Sequence, residues 1–538
     1  MTSEPHAFFT LDAGSATLAA ALIARVDGRW RLLAADAAPV GIPGDVLLRG
    51  LVDQVHAARP EALPDPAGWP DWTRVESRTW PPPRVVIAGP SDRSTDALAR
   101  AFAADGWNVG TGITPERAGA LEAAIALRDP GLDLVAVAAP DGLGGHEHEA
   151  LLDVLALVGA TAGLRDDLPV LVAGRGGSGR PDLPAERVRR THGAGDAVPA
   201  ARELVGRRRD GWSNDGRDAF VRSIASLAAV LDLRVEGVDV GLDAGTRVMA
   251  GPDGVMRRLV RADAALVPPE AVDDQRFLDA IARWSPLADD AFAIRDRLRN
   301  LRVAPWRDAA GDGARLRLAA ARASLERLDA AWHDPARERH HDARGADRLA
   351  DPVPLTAPDL VVVSGGAFAV PPAPAVALAI VDILRRPGAM ALALDHARVL
   401  APLGTIESEP DRRRMLADLA DDILLPLGSV VVAPGLRAGH RGTLRVTADG
   451  ASTSLPLTPG AVQVVDLPPG LSAAAELESP DDLFVGVRAR RALFRVTGGL
   501  GGLLVDTRDM PLRLPDRPER RREFLDTWQR PFWTTAEP

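Results

Sequence analysis

Two short segments of the sequence combine an aspartate, a glycine and a hydroxyl side chain, which are residue types that bind phosphate. LDAGS occupies residues 11–15, and LDAGT repeats the pattern at residues 242–246, about 230 positions later. The glycine permits close backbone approach, and successive N–H groups in such a turn form a concavity that binds anions. The hydroxyl adds a donor, and the aspartate can hold a water bound to Mg²⁺. The repeat therefore predicts two turns, one in each half of a duplicated protein, that hold the phosphates of one ligand.

A third glycine-rich turn follows the apolar run at residues 360–363. It consists of Ser364, Gly365 and Gly366. Alone, this pattern is typical of an ordinary strand-to-helix turn. Together with the two aspartate turns, it supplies a third element of a binding site.

The composition excludes several kinds of chemistry. The chain of 538 residues contains no Cys and no Tyr, and all 64 of its basic residues are Arg. Thiolate nucleophiles, Cys-ligated zinc, Schiff bases and a P-loop lysine are therefore excluded. The formal net charge of −10 argues against a nucleic-acid partner, because such proteins present basic surfaces. We find neither a signal peptide nor an apolar run long enough to span a membrane, so we expect a cytoplasmic protein.

The pattern of elements predicts a mixed α/β protein. Over the first 210 residues or so, three strands and a helix are followed by further strand–helix units, which predicts a largely parallel sheet with helical faces. After residue 420 or so, short strands separated by Gly and Pro predict a small barrel or sandwich. Segments 60–83 and 335–352 read as exposed loops. We therefore expect a first lobe at residues 1–212, a second lobe at residues 213–420 and a β-rich domain at residues 421–538.

The three motifs, in this order and spacing, resemble the phosphate-1, phosphate-2 and adenosine motifs of the superfamily of actin, heat-shock chaperone ATPases and sugar kinases. Within it, the chain most resembles the MutL-type accessory protein of glutamate mutase. The resemblance covers roughly residues 7–410. It is carried by these stretches: 11–17 (LDAGSAT), 141–142 (DG), 171–174 (LVAG), 238–241 (VDVG), 360–366 (LVVVSGG), 394–395 (LD) and 403–404 (LG).

The second phosphate motif leaves two residues open as its aspartate. Asp239 and Asp243 both precede a glycine at the appropriate spacing. We favour Asp243, because Asp239 is expected to lie inside a strand. Arg247 stands where the family has a closing acid. It would either clamp a γ-phosphate or mark a loss of hydrolysis.

The resemblance implies a two-lobed actin-like fold, a duplicated ribonuclease H-like arrangement, with ATP and Mg²⁺ between the lobes. Asp12 and Asp243 are then the candidate catalytic and metal-binding residues. The other candidate nucleotide-binding residues are Gly14, Ser15, Thr17, Asp239, Gly241, Gly245, Thr246, Arg247, Ser364, Gly365 and Gly366.

The implied function is that of an ATP-binding, chaperone-like accessory protein with a protein partner. The family is thought to assist or reactivate adenosylcobalamin-dependent mutases, which makes such a mutase the candidate partner. Two alternatives remain open. One is a non-catalytic scaffold that has kept the fold and lost the nucleotide, and the other is a small-molecule kinase of the same superfamily.

Overall fold

The computed structural model divides the chain into two compact units, which we describe separately. The larger unit comprises residues 1–79, 214–258 and 264–538, and the smaller, inserted unit comprises residues 80–213 with 259–263. Most of the inserted unit lies within the predicted first lobe. The predicted second lobe at residues 213–420 and β-rich domain at residues 421–538 stay predictions. The structure describes residues 6–63, 66–110, 112–176, 179, 181–206, 216–268, 272–305, 310–333, 357–369 and 371–533.

The larger unit begins with a four-stranded mixed sheet of order β3-β2-β1-β4. β1 pairs antiparallel with β2 and parallel with β4. Asp27 and Gly28 both have positive φ, as a type I′ hairpin turn between β2 and β3 requires at its two central residues. The elements are β1 (Ala7–Ala13), β2 (Thr17–Val26), β3 (Arg29–Pro39), α1 (Gly44–Ala58) and β4 (Thr73–Arg78).

β4 lies within the segment 60–83, which the sequence predicted to be a loop. The sequence did not indicate this strand, because its residues are mostly exposed and only Ser77 of the six is buried. The other predicted loop, 335–352, lies outside the described residues.

The inserted unit is a five-stranded parallel sheet with strand order β6-β5-β7-β8-β9. The prediction of one parallel sheet for the first 210 residues or so was therefore wrong, since β1–β4 and β5–β9 form separate sheets. The elements are β5 (Arg84–Ala88), α2 (Asp92–Ala104), β6 (Asn108–Val109), α3 (Ala120–Arg128), β7 (Leu134–Ala138), α4 (Gly145–Ala162), β8 (Val170–Ala173), β9 (Val188–Thr191) and α5 (Ala194–Gly206).

The larger unit resumes with an amphipathic helix and an eight-stranded sheet of order β12-β11-β10-β13-β14-β15-β21-β18. β10 pairs antiparallel with β11 and parallel with β13, and β13 pairs parallel with β14. The elements up to residue 423 are α6 (Gly216–Leu231), β10 (Val235–Val240), β11 (Gly245–Gly251), β12 (Gly254–Arg261), α7 (Gln275–Trp284), α8 (Ala291–Val303), α9 (Gly311–Trp332), β13 (Leu360–Ser364), α10 (Ala373–Ile383), β14 (Gly388–Asp395), α11 (Leu400–Leu403) and α12 (Glu409–Ile423).

Both sheets of the larger unit place their first four strands in the order third, second, first, fourth, with the first pair antiparallel and the first strand parallel to the fourth. This repetition confirms the predicted duplication and the two-lobed actin-like fold. One apolar core joins the two sheets: it includes Phe8 and Trp30 of the first, Val235 and Val362 of the second, and Ile224 of α6.

The strands after residue 423 belong to two sheets. β15, β21 and β18 continue the eight-stranded sheet, while β16, β17, β19 and β20 form a four-stranded sheet of their own. The chain ends its described part in a helix that the sequence did not predict. These elements are β15 (Leu424–Val432), β16 (Gly442–Ala448), β17 (Ala451–Leu457), β18 (Val462–Val465), β19 (Ser472–Phe484), β20 (Arg488–Thr497), β21 (Leu503–Asp506) and α13 (Pro518–Trp533).

Candidate functional site

The turn between β1 and β2 and the turn between β10 and β11 have the same hydrogen-bonding pattern. The N–H of Gly14 donates to the carbonyl of Thr17 at 2.9 Å, and the N–H of Gly241 donates to the carbonyl of Ala244 at 2.9 Å. Each glycine comes two residues after an aspartate in the preceding strand, Asp12 in β1 and Asp239 in β10. Asp239 is therefore the structural counterpart of Asp12.

This register corrects the choice of Asp243 as the aspartate of the second motif. Asp239 does lie inside a strand, as expected, but so does Asp12. Asp243 lies in the turn itself, where its Oδ1 accepts a hydrogen bond of 2.8 Å from Arg302. The sequence repeat LDAGS/LDAGT is thus out of step with the structural repeat by four residues.

A cavity of about 240 Å³ lies between the two turns. Its volume is just below the roughly 300–1,000 Å³ of small-molecule sites. Nine of the predicted site residues line it: Asp12, Gly14, Ser15, Thr17, Asp239, Gly241, Asp243, Gly365 and Gly366.

The predicted roles of Gly245, Thr246 and Arg247 do not agree with their positions. All three are buried in β11, and none of them lines the cavity. The Arg247 side chain is 1% exposed; it donates to Glu236 at 2.5 Å and to Asp329 at 2.8 Å. Its guanidinium also stacks on Trp332, 4.7 Å from the ring centroid. Arg247 is therefore held in a buried ion-pair network and is not placed to clamp a phosphate of a ligand in this cavity.

The third glycine turn packs directly against the end of β10. Gly365 has a φ of +98°, and a Cβ atom there would lie 2.5 Å from the carbonyl oxygen of Val240. Only glycine allows this close approach. Ser364 does not line the cavity. Its hydroxyl donates to Asp395 at 3.1 Å, which ties the end of β13 to the end of β14.

Burial dominates the electrostatics of the aspartates at the strand ends. It raises the pKa of Asp12, although Arg398 and the Ser77 hydroxyl oppose that shift. Burial and the nearby charge of Asp12 raise the pKa of Asp239 to about 6. Burial also raises the pKa of Asp395 to about 7, against hydrogen bonds from Val399, Ser364 and Leu400. These carboxylates are therefore poorly neutralised by the protein alone.

Three arginines that the sequence motifs did not single out also line the cavity: Arg217, Arg317 and Arg398. Arg398 has a φ of +52° and donates to the Thr17 hydroxyl, and its Nε lies 3.9 Å from Asp12. A strained non-glycine residue is common where a side chain must be held at a functional site. Arg317 lies beside the third glycine turn, where it donates to the Gly366 carbonyl at 3.3 Å. Burial lowers the pKa of Arg317 to about 10, so it stays charged at neutral pH.

The residues at the cavity fit a magnesium ion that is bound together with phosphate. In the described parts of the chain, no group of three or more His, Asp and Glu side chains is arranged to hold a metal. Mg²⁺ typically uses only one or two carboxylates, and completes its shell with waters and substrate phosphates. Asp12 and Asp239 supply such a pair.

Among the described residues, no helix has the length and apolar character that crossing a bilayer requires.

No protein-family model matches the chain, and no curated protein is detectably similar in sequence. Several solved structures are similar at low identity. Component A of (R)-2-hydroxyglutaryl-CoA dehydratase from Acidaminococcus fermentans is 9% identical with a TM-score of 0.24, and the match covers 76% of this chain and 98% of that one. Nucleotide-free acetone carboxylase is 11% identical with a TM-score of 0.29, over 84% and 80% of the two chains.

The ADPNP-bound activator of 2-hydroxyisocaproyl-CoA dehydratase from Clostridium difficile is 10% identical with a TM-score of 0.24, over 76% and 96%. All three TM-scores are below 0.5. The fold described above therefore rests on the strand order of this chain, and the site on its own residues.

Proposed function

We propose that the cavity binds ATP with Mg²⁺ and that the protein is a nucleotide-dependent accessory protein acting on another enzyme. The observation that carries the proposal is the pair of equivalent turns, each preceded by a partly buried aspartate that lines the same cavity. Asp12 and Asp239 repel each other when both are ionised, and a divalent cation between them would offset that repulsion.

The remaining groups suit a nucleoside triphosphate. Backbone N–H groups of the first turn and the Ser15 hydroxyl would bind phosphate oxygens from one side, and the second turn would do so from the other. Arg398 and Arg217 supply positive charge at the cavity wall. The planar guanidinium of Arg317, beside Gly366, suits stacking on a base. Mg²⁺, when bound, would neutralise phosphate charge.

Calorimetry with Mg-ADP and Mg-ATP tests this proposal. We expect micromolar binding that Asp12→Ala abolishes and that Arg276→Ala, an exposed helix position outside the cavity, leaves unchanged. Absence of binding at millimolar nucleotide, with the protein shown to be folded, would refute nucleotide binding.

We further propose that the partner is an adenosylcobalamin-dependent mutase, as the resemblance to the glutamate mutase accessory protein suggests. The test is recovery of an inactivated glutamate mutase on addition of this protein with ATP. Recovery that needs ATP and is lost with Asp12→Ala would support the proposal. No recovery, with nucleotide binding intact, would refute this partner while leaving the nucleotide site standing.

A specific observation favours a second candidate, a scaffold that binds nucleotide without hydrolysing it. Arg398 donates to Thr17 beside Asp12, so an arginine already lies next to the carboxylate that would hold the metal. Steady-state phosphate release decides between the two. A rate that Asp12→Ala lowers supports turnover, whereas tight binding without release supports the scaffold.

A further inference from the structure

The inserted unit has a strand order that opens a crevice at a defined place. In chain order its strands run 2-1-3-4-5 across the sheet, so the order reverses between β5 and β7. In open parallel sheets of this kind, the connections on either side of such a reversal leave in opposite directions, and ligands bind outside the carboxyl ends of the strands at that point. The first cavity, which Asp12 and Asp239 line, lies in the larger unit, and none of its lining residues belongs to the inserted unit.

A second cavity, of about 430 Å³, lies at these strand ends. Its volume falls within the roughly 300–1,000 Å³ of small-molecule sites. The loops after β5, β7, β8 and β9 all contribute to its lining. Its apolar wall is formed by Leu98, Leu143, Ala138 and Ala173.

Two hydrogen-bond donors, Arg93 and His192, line this second cavity. Arg93, in the first turn of α2, forms no ion pair with any residue that the structure describes. The Nδ1 of His192 accepts a hydrogen bond of 3.1 Å from Nε of Arg175. In the neutral ring the proton then resides on Nε2, so this nitrogen is a donor. Arginine and an imidazole N–H together suit a phosphate group.

Two hydrogen-bond acceptors line the same cavity. Asp141, after β7, and Glu147, in the first turn of α4, both line the second cavity. The Oδ1 of Asp141 accepts from the backbone N–H of Arg175 at 3.1 Å, which leaves its second oxygen available. Ionised carboxylates only accept hydrogen bonds, so they suit hydroxyl groups of a ligand.

We propose that this second cavity binds a phosphate monoester that carries hydroxyl groups, of the kind found in sugar phosphates and flavin mononucleotide. Arg93 and His192 donate to the phosphate, and Asp141 and Glu147 accept from the hydroxyl groups. The protein then has two ligand sites, one in each unit. This site does not depend on nucleotide binding in the larger unit.

The test uses the full-length protein and two probes, ribose 5-phosphate and flavin mononucleotide. ³¹P line broadening reports binding of the first, and quenching of flavin fluorescence reports binding of the second. Ribose and riboflavin serve as their counterparts without phosphate. We expect at least one phosphorylated probe to bind, and to bind about tenfold or more tightly than its counterpart, because charge-assisted hydrogen bonds to the phosphate are lost in the latter.

Two pairs of variants locate the binding. Arg93→Glu should weaken it by about tenfold or more, whereas Arg100→Glu, two turns further along α2 and outside the second cavity, should not. Gly193→Leu should block it sterically and Gly195→Leu should not, since a Cβ at either glycine meets no atom within 4 Å and both variants should fold.

Four results would overturn the proposal. Neither phosphorylated probe binds, or the counterparts without phosphate bind equally well. Alternatively, the Arg93 and Gly193 variants bind as the wild type does, or Asp12→Ala abolishes binding of the probe and thereby assigns it to the nucleotide cavity.

Discussion

Asp12 and Asp239 occupy equivalent positions at the ends of β1 and β10, and burial raises the pKa of each. A protein gains no stability from two buried carboxylates that repel each other. A positively charged ligand therefore best explains why both carboxylates lie at equivalent ends of β1 and β10. Asp243 differs, since Arg302 already neutralises it.

Exchanging each aspartate for asparagine separates these roles. We expect Asp239→Asn to weaken Mg-ADP binding by about tenfold or more and to reduce its dependence on Mg²⁺, because a carboxylate ligand of the ion is lost. Asp243→Asn keeps an acceptor for Arg302 and should change the affinity less than about threefold. Calorimetry with and without Mg²⁺ measures both. The opposite ranking would restore Asp243 as the aspartate of the second motif.

Arg247 belongs to the interior. Replacing it with Met should lower the free energy of unfolding by about 3 kcal/mol, because Glu236 loses a buried partner. The affinity for Mg-ADP should remain unchanged, since the side chain does not line the cavity. Urea unfolding and calorimetry check the two statements. A loss of affinity in a variant of normal stability would argue that Arg247 contacts the phosphates after all.

Asp395 makes stability depend on pH. Its pKa is raised from 3.8 to about 7, so the native state binds this proton more tightly than the unfolded state. Stability from this group is therefore greatest at low pH and falls as the pH rises from about 4 to about 7. Urea unfolding at pH 5 and pH 8 should show a smaller decrease for Asp395→Asn than for the wild type. Equal decreases would mean that Asp395 titrates normally.

At the scale of elements, the third glycine turn shows why neighbouring glycines are not equivalent. Gly365 has positive φ and meets the carbonyl of Val240, whereas a Cβ at Gly366 would meet no atom within 4 Å. Gly365→Ala should therefore destabilise the protein by about 2 kcal/mol or more, and Gly366→Ala by less than about 1 kcal/mol. Thermal unfolding of the two variants provides the measurement. Similar losses would show that β13 does not need its glycine to pass β10.

Local patterns predicted the strands and helices well where the chain is strongly periodic. α6 (Gly216–Leu231) is such an element, because its apolar residues fall on one face. β4 was missed, since only one of its side chains is buried and its pairing with β1 is non-local. Arg398 was missed for a similar reason: no motif signals a residue whose importance comes from its contact with Thr17, 381 positions away.

The register of the second turn could not be predicted from composition. LDAGT copies LDAGS letter for letter in four positions, and Asp243 was favoured because Asp239 was expected to lie inside a strand. Strand pairing decides otherwise, because Asp12 lies opposite Ala19 and Asp239 lies opposite Thr246 in the equivalent hairpin positions. A hydrogen-bonded turn fixes register more strongly than a matching sequence does.

In the whole chain, the inserted unit interrupts the larger unit between two residues that lie close together, Thr79 and Gly216. A Cβ atom at Gly216 would lie 2.6 Å from the Thr79 hydroxyl oxygen, so the chain leaves and re-enters the larger unit at almost the same place. Insertions of this kind are tolerated because the host keeps its own core. The apolar cluster that joins β1, α6, β10 and β13 contains no residue from positions 80–213.

Removal of the insertion should therefore leave a working nucleotide site. We expect a protein in which a short Gly-Ser linker replaces residues 80–215 to fold and to bind Mg-ADP within about threefold of the full-length affinity, because every residue that lines the first cavity is retained. The same protein should no longer bind ribose 5-phosphate or flavin mononucleotide. Circular dichroism, calorimetry and ³¹P spectra test these statements together. If the shortened protein folds but loses Mg-ADP, the nucleotide site depends on the inserted unit, and the assignment of one ligand to each unit is wrong.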